Sequence, residues 1–472
     1  MCYIEWFALI PPDPSMSHRK LDVVLDSVRR LQRIGATANL VNLLQKQHPA
    51  DLAQLLSELS DKDRRSAFTL LAERNPKLAM EGLSELGPEA GATLLADRSA
   101  EEIVKLTQDL PSDDAAAIID YLPEELATAV LELIQKRPAG GDVGDLLEYA
   151  EQTAGRIMNP KVFALSEDMT AGEAITALQT SRDVEVVFYL YVIDARRHLV
   201  GVVSLRRLLL VAPPTPLKRI MTTDLISVRV DTDQEEVARQ VASYNLLAIP
   251  VVDEENKLVG VITVDDVIDV IKDEATEDVY RLAGVAGDDR VFTSAADSLR
   301  KRLPWLVVNL ATAFLAAAVV STFSETIAAV TVLAAFMPVV AGMGGNAATQ
   351  TLTVIVRGIA LGELTWSNSR KALFKEATVG LGNGVACGVI GGLIVWFFTH
   401  DLMLGGILAA AMVINMFVAS TAGTLIPLGL RAMKVDPALA SSVFITTLTD
   451  VFGFFSFLGL ASLFLRFLHQ TG

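Results

Sequence analysis

Asp450 sits inside an apolar run, Ser441–Phe467, that reads SSVFITTLTDVFGFFSFLGLASLFLRF. A carboxylate at mid-bilayer costs roughly 2.5–3.5 kcal/mol on insertion scales, so such a residue normally faces a water-filled path and marks an ion or proton route. Thr446, Thr447 and Thr449 accompany it and would widen a polar lining. A second acidic feature lies upstream, in VDDVIDVIKDEATEDVYRLAGV (264–285). On a helix, Asp266, Asp269, Asp273 and Glu277 fall at steps of three, four and four and share one face, with Glu274 and Asp278 on its flank. Like charges at that spacing each cost a few tenths of a kcal/mol. The stripe therefore needs solvent, a basic partner or a bound cation, and Lys272 and Arg281 offset only part of it. Its place just before the first apolar span favours divalent-cation sensing: bound ions would let acidic faces pack, and their loss would drive them apart.

The remaining composition narrows the ion. Two cysteines and five scattered histidines offer no zinc or copper spacing. Oxygen ligands point to hard cations such as Mg²⁺ or Ca²⁺. Residues 1–302 hold 50 of the 56 acids and 33 of the 40 bases, so an acidic soluble half precedes a nearly neutral apolar half. An acidic surface argues against nucleic acid. No nucleophile–base arrangement or phosphate loop is present, so an enzyme is not expected.

The elements that must hold these residues follow from the patterning. Residues 21–137 read as short amphipathic helices punctuated about every dozen residues, a small helical superhelix. Ser99 with Glu102 fits a capping box, and Asp113 and Asp114 stand at a helix start. An internal repeat follows: Arg156-Ile157-Met158 recurs as Arg219-Ile220-Met221, and YVIDARRHLVGVVSLRRLL (191–209) matches PVVDEENKLVGVITVDDVI (250–268). Each copy offers two strands, a turn and a closing helix. Five segments, about 304–323, 326–357, 377–399, 403–430 and 439–467, are long enough to cross a bilayer. Lys and Arg cluster before the first span and after the second and fourth. The positive-inside rule then puts the amino-terminal half in the cytoplasm and the carboxyl terminus outside. In FMPVVAGMGGNAATQTLTVIVRG, Pro338, Gly342, Gly344 and Gly345 predict a helix broken at membrane depth, with Asn346 and Gln350 adding polar groups. Glu376 opens the third span beside Lys375. The opening MCYIEWFALIPPDP lacks the basic region of a signal peptide and leaves Met1 and Met16 both open as starts.

The repeat resembles a tandem pair of CBS domains over roughly residues 155–271. Gly260, Thr263 and Asp266 match the pattern that often holds a ribose, which implies a nucleotide such as ATP in the second copy. Arg207 replaces the acid in the first. The whole chain resembles the MgtE family of magnesium channels, through EATEDVYRL, FMPVVAGMGGNAATQ, FKEATVGLGNG, VDPALASS and TTLTDVFGF. The resemblance implies a multidomain protein: an uncertain extension (1–20), an α-helical superhelix (21–137), an α/β tandem CBS pair (138–271), an acidic plug helix and linker (265–302), and an all-α polytopic membrane domain (303–472). It implies a homodimer in the cytoplasmic membrane, selective for Mg²⁺ and closed by cytosolic Mg²⁺. It assigns Asp450 to the pore, where Asn346 and Thr446 would meet the waters of a hydrated ion. It assigns Asp436 to the cytoplasmic mouth, and Asp233, Glu235, Asp266, Asp269, Glu274, Glu277 and Asp278 to regulation, with Asp113 and Asp114 as further acids. Asn245 stands where a regulatory acid can occur, and Ser442-Val443 where a helix breaker is common. Two alternatives stay open: a broader divalent channel passing Mn²⁺, Co²⁺ or Ca²⁺, and a membrane-anchored nucleotide sensor that transports nothing.

Overall fold

The computed structural model describes residues 14–136, 141–181, 189–285, 289, 294–440 and 442–471. The stretch Met1–Asp13, with the candidate start at Met1, lies outside them, as do the side chains of Ser442 and Arg466. The chain forms two compact units, Met1–Val270 and Ile271–Gly472.

The first unit begins with ten helices: α1 (Pro14–Arg33), α2 (Thr37–Leu44), α3 (Pro49–Ser57), α4 (Asp61–Arg74), α5 (Pro76–Leu86), α6 (Pro88–Leu95), α7 (Ala100–Thr107), α8 (Ser112–Asp120), α9 (Glu124–Gln135) and α10 (Gly141–Glu148). Their starts are chemically marked. Ser60 and Ser99 accept from the third backbone N–H of α4 and α7, and Pro opens α3, α5 and α6. Ser99 caps α7 in this way, which is half of the box that its spacing to Glu102 suggests; among the described residues the full reciprocal box joins Thr170 and Glu173.

The repeat folds as two matching three-stranded sheets. The first holds α11 (Ala154–Ile157), β1 (Ala164–Ser166), α12 (Ala171–Thr180), β2 (Tyr189–Ile193), β3 (Leu199–Ser204) and α13 (Leu205–Leu210). The second holds β4 (Val228–Arg229), α14 (Gln234–Tyr244), β5 (Ala248–Val252), β6 (Leu258–Thr263) and the start of α15 (Val264–Leu282). In each sheet the first strand runs parallel to the middle one and the last antiparallel, a strand more than the sequence pattern suggested. The two copies exchange their leading segments. Asn159 bridges to Val261 of β6, and Thr222 bridges to Val202 of β3. The exchange explains two of the repeated residue types. A Cβ on Gly260 would lie 2.5 Å from Met158 Sδ, and one on Gly201 equally close to Met221 Sδ. Each Met therefore fills the space above the other copy's glycine. The helical array and the second sheet share one core, from Leu25 through Ile119 and Val130 to Ile249, Ile262 and Val267.

In the second unit five helices are long and apolar enough to cross a membrane: α16 (Ala295–Ser321), α18 (Leu333–Ala360), α19 (Ser369–Thr399), α20 (Leu402–Ala432) and α21 (Ser442–Thr471), with a short α17 (Ser324–Ala329) between the first two. The expected break at Pro338–Gly345 is not found. Helix α18 runs unbroken through it, with Pro338 in its second turn. The glycine at the centre serves close approach instead: a Cβ on Gly344 would lie 2.2 Å from the amide nitrogen of Asn415 on α20. Helices α19 and α20 pack the same way along their length. A Cβ on Gly384 would lie 2.8 Å from Val413 Cα. Cβ atoms on Gly388 and Gly392 would lie 2.7 Å from the carbonyl oxygens of Ala409 and Gly405. Small residues bring helix backbones together where lipid gives little drive for association.

Candidate ion pathway and acidic gate

Helix α21 carries the candidate pathway. Thr446 and Asp450 stand one turn apart on one face, and both are half-buried. The neighbouring hydroxyls turn inward: Thr449 is fully buried and donates to the Thr446 carbonyl (2.8 Å), and Thr447 donates to the Val443 carbonyl (2.7 Å). A Cβ on Gly345 would lie 3.8 Å from the Thr446 methyl, so this face of α21 meets α18 at a residue with no side chain. Asn346, the next residue, is exposed, as is Gln350. The structure thus brings Asp450 and Thr446 onto one face, with Gly345 of α18 against Thr446, and leaves Asn346 exposed. Among the described residues no group of three or more potential ligating side chains could hold a metal ion. Asp450 within one chain is a single carboxylate.

Asn415 is a residue the sequence reading missed. It is fully buried, its amide donates to the Val340 carbonyl (2.9 Å), and its own Oδ1 has no partner. It is wedged between two glycines, since a Cβ on Gly453 would lie 2.7 Å from its amide nitrogen. One polar side chain on α20 therefore sets the approach of α18 and α21, the two helices that carry Asn346, Thr446 and Asp450. Its signal was a lone Asn in an apolar helix, a type that hydrogen-bonds between helices.

At the end of the bundle that bears the basic loops, Asp436 accepts from the Ala438 N–H (2.7 Å) and pairs with Arg281, which also pairs with Glu277. Arg281 and Asp436 are each less than a third exposed. Leu282 packs with Ala438, Ile445 and Leu352. The last turn of α15 thus docks on the membrane helices, and the cation judged insufficient for the stripe is the one that meets Asp436. Glu274, Glu277 and Asp278 are half-buried here, and burial pushes the Asp278 carboxyl above its usual range.

The other acids lie in the first unit. Asp113 and Asp114 open α8, and Asp113 accepts from Asn159 (3.4 Å) beside Asp266. Burial, and then the Asp266 charge, hold the Asp113 carboxyl well above its ordinary range. Burial raises Asp266 to about 6, against a hydrogen bond from the Thr263 hydroxyl (2.6 Å) that lowers it. Two carboxylates that lose water together bind protons or cations more tightly. Arg156 of the repeat clamps this side to α8 through Asp120 (2.5 Å). Asp269 is exposed. Asp233 caps α14 by accepting from the Glu235 N–H (2.8 Å), and Glu235 sits in that first turn. The sharing of one face by Asp266, Asp269, Asp273 and Glu277 does not make one site: Asp266 accepts from Thr263 and its charge bears on Asp113, whereas Glu277 pairs with Arg281. Asn245 is the left-handed C-cap of α14 (φ 51°), a conformation that favours Asn. Gly260 lies within β6 and Thr263 ends it, with Thr263 locked to Asp266.

Three family profiles cover most of the chain: a divalent cation transporter over residues 337–460, an MgtE intracellular N domain over 47–152, and CBS domains over 154–213 and 217–273. A magnesium transporter MgtE of Enterococcus faecalis is 37% identical over 328 residues, 69% of this chain and 72% of that protein. One of Thermus thermophilus is 38% identical over 69% of this chain and 73% of that protein. A crystal structure of the cytosolic domain of the Mg²⁺ channel MgtE in complex with ATP aligns at 37% identity over 52% of this chain and 99% of that one, with a TM-score of 0.48. With five apolar helices and relatives this similar, the chain is an integral membrane protein and belongs to the MgtE family of magnesium transporters.

Proposed function

We propose that the protein is a Mg²⁺-selective channel through which magnesium enters across the cytoplasmic membrane, closed when cytosolic Mg²⁺ occupies its acidic faces. The observation that carries this reading is the half-buried Asp450 on a membrane helix, one turn from Thr446, which itself meets Gly345 of α18. Mg²⁺ gives up its waters reluctantly and is usually held through one or two carboxylates. One Asp450 per chain fits a homodimer in which two copies face one hydrated ion. Polar groups such as Asn346 and Thr446 would then meet its water shell. The basic loops support an amino-terminal half in the cytoplasm and a carboxyl terminus outside.

Closure follows from charge. Asp113 and Asp266 are desolvated together, and a divalent ion would remove the repulsion between them and the cost of their burial. Glu274, Glu277 and Asp278 surround the end of α15, where Arg281 already neutralises Asp436. Mg²⁺ on these acids would hold α15 down at the mouth of the pathway. Asp233, Glu235, Asp269 and Asp114 are the outer acids of the same response. The Gly260–Thr263–Asp266 segment would seat a nucleotide such as ATP, and competition for Asp266 would couple the two ligands. Asp450→Ala is expected to abolish Mg²⁺ flux while leaving a folded dimer; undiminished uptake by that variant would sink the reading.

A further inference from the structure

Between the end of α18 and the start of α19 lies a cavity of about 280 Å³, separate from the Asp450 face. Its wall is apolar, built by Val354, Ile355 and Leu364. Its polar lining holds two amines and two carboxylates: Lys371, Lys375, Glu363 and Glu376. The four are not equivalent. Glu376 is buried, pairs with Lys375 and accepts from the Thr351 hydroxyl (3.3 Å), forming the floor. Lys371 and Glu363 are exposed at the rim, and neither forms an ion pair among the described residues. Val354 in this wall is exposed, and so are Trp366 (58%) and Phe374 (77%), which neighbour the lining residues in sequence. Aromatic residues of this kind favour the boundary between headgroups and hydrocarbon.

We infer that this cavity seats the headgroup of a membrane phospholipid that carries both a phosphate and a primary ammonium. The phosphate would lie between Lys371 and Lys375, with the ammonium on Glu363. The acyl chains would leave past the exposed Val354. Basic pockets between membrane helices at their cytoplasmic ends are known lipid headgroup sites, and the balanced charge here selects a zwitterion over a purely anionic lipid. The volume sits at the small end of ligand pockets and suits a headgroup rather than a whole lipid. The apolar wall, with Val354 exposed, selects a lipid over a soluble ion.

Native mass spectrometry of the full-length protein tests this, with phosphatidylethanolamine, phosphatidylcholine or phosphatidylglycerol added in turn. Phosphatidylethanolamine should be retained several-fold more than either of the others. Lys371→Ala should lower its occupancy about five-fold, the scale of one lysine at a membrane surface. Glu363→Gln should abolish the preference over phosphatidylglycerol. Both variants should elute and melt as the parent does, because both side chains are exposed and make no ion pair. Equal retention of all three lipids overturns the proposal, as does retention unaffected by both variants. Displacement of the lipid by millimolar soluble phosphoethanolamine would overturn the membrane source.

Discussion

Asp266→Asn isolates the acidic contact between the helical array and the second repeat. The Asp266 carboxyl moves from an ordinary 3.8 to about 6, chiefly through burial. That shift of roughly two pH units corresponds to about 3 kcal/mol. The folded pKa lies above the unfolded one, so the stabilisation belongs to the protonated acid. It is complete below about pH 4 and is lost as pH rises through 6. At pH 7.5 the folded unit carries the full cost of the buried charge. Asparagine removes that charge and can still accept from the Thr263 hydroxyl. Without divalent ions, Asp266→Asn should therefore raise the melting temperature of the soluble unit at pH 7.5 by roughly 6–12 °C, given about 2–4 °C per kcal/mol for a unit of this size. Millimolar Mg²⁺ should raise the melting temperature of the parent at pH 7.5, do little to it at pH 5, and do little to the variant at either pH. Differential scanning calorimetry reads all three. An equal Mg²⁺ increment in parent and variant, or a variant that melts lower at pH 7.5, would refute the assignment of Asp266 as a desolvated acid that a cation relieves.

Three further outcomes follow from the same geometry. Arg281→Ala removes the cation from Asp436, a charge-assisted contact worth about 1.5–3 kcal/mol, so residual flux at high cytosolic Mg²⁺ should rise at least ten-fold; an unchanged closed-state flux would show that this pair does not hold α15. Gly344→Ala forces a methyl against the Asn415 amide and should cut flux at least ten-fold. Adding Asn415→Ala should restore part of it, and a double variant as inactive as the single one would contradict the wedge. Gly388→Val drives a side chain into the Ala409 carbonyl and should lower thermal stability by at least 1–3 kcal/mol, while Gly382→Ala, with open space around its Cβ, should be tolerated.

Much of this architecture was legible because its signals are local. Capping residues and prolines announced the helical array, and the two copies of the repeat aligned on sight. The membrane helices declared themselves by length and apolarity. The misreading of Pro338–Gly345 as a break has a definite cause. Glycine counts as a helix breaker in water, but in lipid the unmet backbone groups of a break are costly, and glycine instead admits a neighbouring helix. Only Asn415, 71 positions from Gly344, shows what the space is for. Distance in sequence hid the other pairings as well. Asp113 feels the charge of Asp266, Met158 meets Gly260, and Arg281 meets Asp436. The acidic stripe on α15 was visible as a pattern, but its division between two partners depends on packing.

Closure by cytosolic Mg²⁺ of a pathway lined by Asp450 remains the step on which the proposed function stands. Mg²⁺ flux into liposomes carrying the purified full-length protein, with Mg²⁺ at the face of the soluble domains titrated upward from near zero, addresses it most directly. Flux should be strong at low Mg²⁺ and fall as Mg²⁺ rises, and Asp450→Ala should pass none at any concentration. Flux indifferent to Mg²⁺ at that face, or equal in Asp450→Ala, would contradict it.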